Sequence, residues 1–140
     1  MAEWKEIQTE GELQSALELC YRILGEHLRE HELYSCEAWQ KRLADGRQPL
    51  LCAEEDGRVV SAVLGRAENA DSLVIGFVAC DEAYRRQGIT SGLMRRIEER
   101  AREMGFKAIT LGSQEDAFYE KCGYHVIAEM HGQNIYQKLL

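Results

Sequence analysis

An unbroken apolar run, Leu73-Val74-Ile75-Gly76-Phe77-Val78-Ala79-Cys80, is followed by the basic turn Tyr84-Arg85-Arg86-Gln87-Gly88-Ile89-Thr90-Ser91-Gly92 and then by Leu93, Ile97, Ala101 and Met104 at helical spacing. The run has the length and β-branched content of a buried strand, and the stripe after the turn has the recurrence of an amphipathic helix. A strand that feeds a short, glycine-bearing turn opening a helix makes an anion cradle. The first N–H groups of a helix have no internal partner, and the macrodipole adds partial positive charge at the same end. Gly88 lets the backbone approach a pyrophosphate without a Cβ in the way. Arginines at a helix start oppose the dipole, so Arg85 and Arg86 imply an anion beside them.

Two familiar phosphate cradles are absent. The P-loop needs Gly-Lys followed by a hydroxyl residue, and the dinucleotide fingerprint needs G-x-G-x-x-G; the chain has neither. The pattern present, Arg85-x-x-Gly88-x-Thr90, resembles the R/Q-x-x-G-x-G/A signature of the GNAT superfamily of acetyl-CoA-dependent N-acetyltransferases. A second stretch, Ala117-Phe118-Tyr119-Glu120-Lys121-Cys122-Gly123-Tyr124, is similar to a segment that closes many of its members. The resemblance covers about residues 50–140 well and the first part of the chain loosely. Thr90 departs from the Gly or Ala usual at the last signature position; a backbone cradle tolerates it if its Cβ points away, and its hydroxyl offers an added donor. Thr90 and Ser91 also read as ordinary residues of a helix start.

The resemblance implies an α/β fold: a central, mostly antiparallel sheet with a splayed strand pair and helices on both faces. It implies that acetyl-CoA is the cosubstrate, with its pantetheine arm pairing along the backbone of Val78 and Cys80, and with Phe77 and Ala79 adjoining. The phosphates would rest on Arg86, Gln87, Gly88, Ile89, Thr90 and Ser91, with Arg85 and Arg86 as countercharge. Tyr119 matches the tyrosine that acts as general acid beside the CoA sulfur. The alternative for Tyr119 is a core aromatic paired with Phe118, and Phe118 is the better candidate to face inward.

Read without the resemblance, the chain gives a compatible order of elements. A first strand lies near Trp4–Gln8, Thr9-x-x-Glu12 reads as a capping box, and Leu13, Ala16, Leu17, Cys20, Leu24 and Leu28 form one amphipathic helix. A second helix starts at Ser35 and carries Trp39 and Leu43 inward. Leu50–Glu54 and Val59–Leu64 form a hairpin across Asp56-Gly57. A turn near Glu68–Ser72 precedes the central strand. Gly105 sits at a helix C-terminus, Lys107–Leu111 is the next strand, and a short helix runs through Phe118 to Gly123. The strands His125–Met130 and Ile135–Leu139 close the chain across His131-Gly132-Gln133-Asn134.

Composition narrows the classes. The chain has 140 residues and no repeat or linker, as expected of one domain. A net charge of −7 argues against general nucleic-acid binding. No apolar run reaches the roughly 18 residues of a membrane span, and the start lacks a signal-peptide core, so the expectation is cytoplasmic. Cys20, Cys36, Cys52, Cys80 and Cys122 are scattered, never in C-x-x-C spacing, and read as buried thiols rather than disulfides or metal ligands. No metal is expected, and the oligomeric state stays open, with a homodimer as one option.

The general base is not legible. Val74 stands where histone-modifying relatives carry a glutamate. Glu68, Asp81, Glu82, His27 and His31 are the nearby titratable groups, each read first as a solvated surface group. Glu26, Glu30, Glu32 and Glu37 favour a cationic amine weakly, since such a run is usually a wet helix face. Three functions therefore compete: an N-acetyltransferase acting on a small or protein-borne amine, a CoA-binding module without catalysis, and an unrelated nucleotide binder.

Overall fold

The computed structural model describes residues Met1–Leu140. Seven strands form one sheet: β1 (Glu3–Glu6), β2 (Leu50–Glu55), β3 (Arg58–Ala67), β4 (Ser72–Cys80), β5 (Ala108–Ser113), β6 (His125–Met130) and β7 (Gln133–Leu139), in the order β1-β2-β3-β4-β5-β7-β6. Every neighbouring pair is antiparallel except β4 and β5. Helices α1 (Glu10–Leu24) and α2 (Cys36–Asp45) cover one face, and α3 (Ile89–Glu103) and α4 (Asp116–Lys121) cover the other.

Local chemistry sets most boundaries. Thr9 caps α1 in a reciprocal capping box, its hydroxyl accepting from the Glu12 N–H while the Glu12 carboxylate accepts from the Thr9 N–H. The helix is shorter than its apolar spacing suggests. It stops at Leu24 because Gly25 adopts φ 140°, and Leu28 falls in a separate 3₁₀ turn, Glu26–Glu30. Ser35 caps α2 through the Ala38 N–H, and Trp39 is fully buried, while Leu43 is only partly so. Asp56 and Gly57, both at positive φ, make the tight turn between β2 and β3. The last hairpin turns on His131 and Gly132 alone, so Gln133 and Asn134 already belong to β7.

The sheet has two cores because β4 changes face midway. Leu64 pairs with Phe77 and Gly65 pairs with Ile75, so Gly76 is an extra residue, a β-bulge. Before it, Leu73 and Ile75 point into the α3 core with Val63, Leu93 and Ile97. After it, Phe77 and Ala79 point into the α1 core with Leu17, Tyr21 and Trp39. Regular alternation would have kept all four on one side. The bulge also needs a residue without a side chain, since a Cβ at Gly76 would stand 2.9 Å from Trp39 Cη2 and 3.2 Å from Tyr34 Cε1.

A paired substitution tests this packing. Gly76→Ala should lower the urea-unfolding free energy by about 1–3 kcal/mol through overpacking. Gly11→Ala, on an exposed turn of α1 with nothing within 4 Å of the new Cβ, should raise it by about 0.5–1 kcal/mol. Equal effects at the two sites would contradict the close approach at the bulge.

Candidate active site

β4 and β5 part company soon after they meet. Their parallel pairing covers Ser72 with Ala108, Leu73 with Ile109 and Val74 with Thr110, whereas β4 runs on to Cys80 and β5 to Ser113. The Asp81 N–H donates to the Val60 carbonyl at 2.8 Å, which fixes the phase of the β3–β4 ladder. By antiparallel alternation, Phe77 and Ala79 spend their backbone groups on β3, and Val78 and Cys80 turn theirs toward the gap. The side chains of Phe77 and Ala79 are buried in the α1 core, so what those two residues supply to the gap is its wall, not its polar groups.

Beyond Cys80 the chain makes a 3₁₀ turn, Glu82–Tyr84, and passes through Arg86 at φ 64° and Gly88 at φ 78° into α3. Left-handed residues so close together bend the backbone into the concavity typical of anion sites. None of the N–H groups from Arg85 to Ser91 donates to a backbone carbonyl, and no side chain caps α3. The Ser91 hydroxyl turns back to the Gly88 carbonyl at 3.1 Å. Arg85, Arg86, Gln87 and Gly88 are exposed, and neither arginine pairs with a carboxylate. This corner offers unsatisfied donors and uncompensated charge, and an anion answers both.

Two buried contacts hold the corner in place, and the sequence had signalled neither. The Ser61 hydroxyl donates to the Ala79 carbonyl at 2.9 Å and lies 2.9 Å from Thr90 Oγ1. A hydroxyl has one proton, so Thr90 is the donor to Ser61. Thr90 therefore faces the sheet, not the cradle, and its hydroxyl adds no phosphate donor. Asp81 is buried, contrary to the expectation of a solvated carboxylate. It accepts from Arg22 and Arg58 at 2.8 Å each and from the Ala83 N–H at 2.9 Å. The Ala83 N–H and the two guanidiniums hold its carboxyl below the ordinary range, which removes it from the candidate bases.

Tyr119 and Phe118 exchange the orientations expected of them. Tyr119 is the buried one, packed edge-on to Phe118 and against Tyr124 and Tyr136, and Phe118 is half-buried. The inward position falls to the residue that completes the tyrosine cluster over β7. The Tyr119 hydroxyl makes no hydrogen bond within the protein and is not sealed from solvent. Desolvation of the ring end pushes its pKa up, so the phenol holds its proton throughout the working range. Beside it, Glu98 on α3 is buried and accepts from Tyr124 at 2.9 Å and from Lys138 at 2.9 Å, tying α3 to the chain end.

On the opposite face, Val74 sits at the last β4–β5 pair. Glu68 pairs with Arg66, and Glu82 with Arg22. The His31 ring packs tilted on Tyr34 at 5.2 Å and its Nδ1 accepts from the Leu33 N–H at 3.1 Å. Glu68 and His31 thus sit one side chain back from the strand opening, against Arg66 and Tyr34, while Asp81 and Glu82 are held on Arg22.

The sequence model of the acetyltransferase (GNAT) family matches residues 11–124. Among solved structures, the PaiA N-acetyltransferase of Thermoplasma acidophilum, in complex with coenzyme A, superposes with a TM-score of 0.82 at 17% identity, covering 100% of this chain and 99% of that one. A GNAT family acetyltransferase of Elizabethkingia anophelis with acetyl-CoA bound gives 0.69 at 13% identity, covering 99% and 98%. An acyl-CoA N-acyltransferase of Pseudomonas aeruginosa gives 0.78 at 21% identity, covering 99% of both chains. No curated protein sequence matches.

Asp81 yields a pH-dependent prediction. Its folded pKa lies below its unfolded value, so its contribution to stability is present above about pH 4 and disappears as pH falls through the folded value. Urea unfolding should find Asp81→Asn less stable than the parent at pH 7. The difference should shrink as pH falls through the folded pKa of Asp81, below which both side chains are neutral. A constant difference would sink the ion-pair account.

Proposed function

Because the chain belongs to the acetyltransferase (GNAT) family, we propose that it is an N-acetyltransferase that moves an acetyl group from acetyl-CoA directly to a primary amine. The observation that carries this reading is the run of unpaired N–H groups from Arg85 to Ser91, set at the end of an open strand edge. Bound there, acetyl-CoA supplies an activated thioester. The diphosphate rests on the amides of Arg86 to Ser91, with Arg85 and Arg86 exposed beside it. Val78 and Cys80 pair with the pantetheine amides as a further strand would, and an N–H of this edge stabilises charge developing on the thioester oxygen.

Tyr119 faces the leaving sulfur. A thiol of ordinary pKa, about 8.5, leaves readily as thiolate. A phenol held above its ordinary pKa does not surrender its proton to such a group easily, so Tyr119 stabilises the thiolate chiefly as a hydrogen-bond donor. The amine must arrive neutral or lose its proton to water, since Val74 stands at the opening and Asp81 is held as a paired carboxylate. The acceptor enters from the face of α1 and α2, where the sheet opens. The reading of a CoA-binding module without catalysis keeps one observation in its favour, the valine rather than a carboxylate at position 74 of β4.

Tyr119→Phe should reduce kcat on the order of tenfold and leave the KM for acetyl-CoA unchanged. If no amine in a broad panel releases free thiol while CoA still raises the Tm, the non-catalytic reading holds instead. Arg86→Ala should weaken CoA several-fold more than it weakens phosphate-free acetyl-pantetheine. Equal weakening of both ligands would remove the phosphate role of the turn.

A further inference from the structure

The side of the strand opening away from the phosphate cradle carries a second concentration of positive charge. Arg66 lies on β3 directly opposite Val74, on the α1–α2 face. Its Nη1 donates to the Tyr34 hydroxyl at 2.8 Å, and its guanidinium carbon stands 5.3 Å from the Tyr34 ring centroid. The edge of that same ring, Cε1, reaches to 3.2 Å of where a Cβ would stand at Gly76, the bulge. The guanidinium is thus one aromatic ring away from the point where β4 leaves β5.

Arg66 is desolvated, with 16% of its side chain exposed. Glu68, 48% exposed, approaches its Nε. That leaves Nη2 with no hydrogen-bond partner and open to solvent, whereas a guanidinium matches a carboxylate best through two N–H groups side by side. Arg42 adds a second charge nearby. It stacks 4.5 Å over Trp39, which itself stacks on Tyr34, and donates to the Leu33 carbonyl at 2.7 Å. No carboxylate pairs with it, and burial together with the Arg66 charge lowers its pKa. Two half-buried arginines have one half-exposed glutamate between them, paired to Arg66 alone, so the face is short of one negative charge.

The acidic residues that suggested a cationic acceptor do not offset this. Glu26 is paired with Arg29 and Glu37 with Lys41, and Glu30 and Glu32 lie outward on the turn between α1 and α2.

We propose that the acceptor amine carries a carboxylate, and that Arg66, braced on Tyr34 beside the strand opening, is the residue that binds it. This rests on the acetyl-transfer reading above and names its substrate class: an amino acid, or a similar small amine with its carboxylate free. The carboxylate meets the free edge of the Arg66 fork, Arg42 supplies long-range countercharge, and the amine is turned toward the thioester carbon at the bulge. Glu30 and Glu32 remain outside the contact.

The test compares each member of an amino-acid panel with its own carboxamide, by thiol release with acetyl-CoA. The carboxylate form should be favoured in kcat/KM by roughly 10- to 100-fold, the loss expected when a charge-assisted hydrogen-bond pair is removed. Arg66→Gln should raise the KM for the carboxylate form by a similar factor, leave the KM for acetyl-CoA unchanged and barely alter the carboxamide. Arg66→Lys should recover part of the loss. Independently of turnover, an N-acetylamino acid added to the CoA-saturated protein should raise its Tm, and its amide should not. Carboxamides used as well as, or better than, carboxylates would overturn the proposal while leaving acetyl transfer intact. Absence of thiol release with every amine, with the Tm response to CoA preserved, would overturn both.

Discussion

A single extra residue on β4 organises this molecule. With Gly76 bulged out of the β3 ladder, the apolar run Leu73–Cys80 serves two cores in succession, Leu73 and Ile75 under α3, then Phe77 and Ala79 under α1. The same bend turns the outer half of β4 away from β5 after three paired residues. Trp39 and Tyr34 pack directly onto the bulge, which couples the second helix to the strand opening. An opening of this kind exposes unpaired backbone, a liability that proteins normally cover. Its persistence at the centre of a sheet points to a ligand that completes the pairing.

The cradle follows a similar logic. An uncapped helix start is tolerable when water reaches it, but Arg85 and Arg86 set against the dipole are unfavourable unless an anion intervenes. The surrounding structure does not relax the problem. Asp81, clamped by Arg22 and Arg58, fixes where the 3₁₀ turn begins, and the Thr90–Ser61–Ala79 relay fixes α3 against β4. Contacts on both sides hold the amides of this corner in one arrangement, and a preset donor array reduces the ordering that any anion would have to impose.

Local rules carried most of the fold into view. The Thr9–Glu12 capping box, the Asp56-Gly57 turn and the strand-turn-helix around Gly88 are written in consecutive residues, and the structure contains each of them. What stayed hidden depends on partners far along the chain. Gly25 ends α1 against a continuing apolar pattern. Asp81 looks like any turn aspartate until Arg22, 59 positions away, and Arg58 arrive. The inward turn of Tyr119 rather than Phe118 is decided by Tyr136 and Tyr124 across the core. Glu98 in the buried stripe of α3 was the one local anomaly that could have announced a distant cation, here Lys138. The bulge at Gly76 was legible only as a glycine inside a strand pattern, a known mark of such irregularities.

Charge is distributed against the average. The chain carries −7 overall, yet both approaches to the β4–β5 opening are lined with arginine, Arg85 and Arg86 on the α3 side and Arg66 with Arg42 on the α2 side. Arginines on both sides of one opening attract anions there despite the acidic total, because field lines concentrate between low-dielectric walls. It also bears on the missing base. A carboxylate placed at Val74 would attract a protonated amine and then take its proton, but it would lie directly across from Arg66 and be neutralised by it. With a valine there, no carboxylate stands directly across the β3–β4 ladder from Arg66, whose guanidinium is met instead by Tyr34 and Glu68.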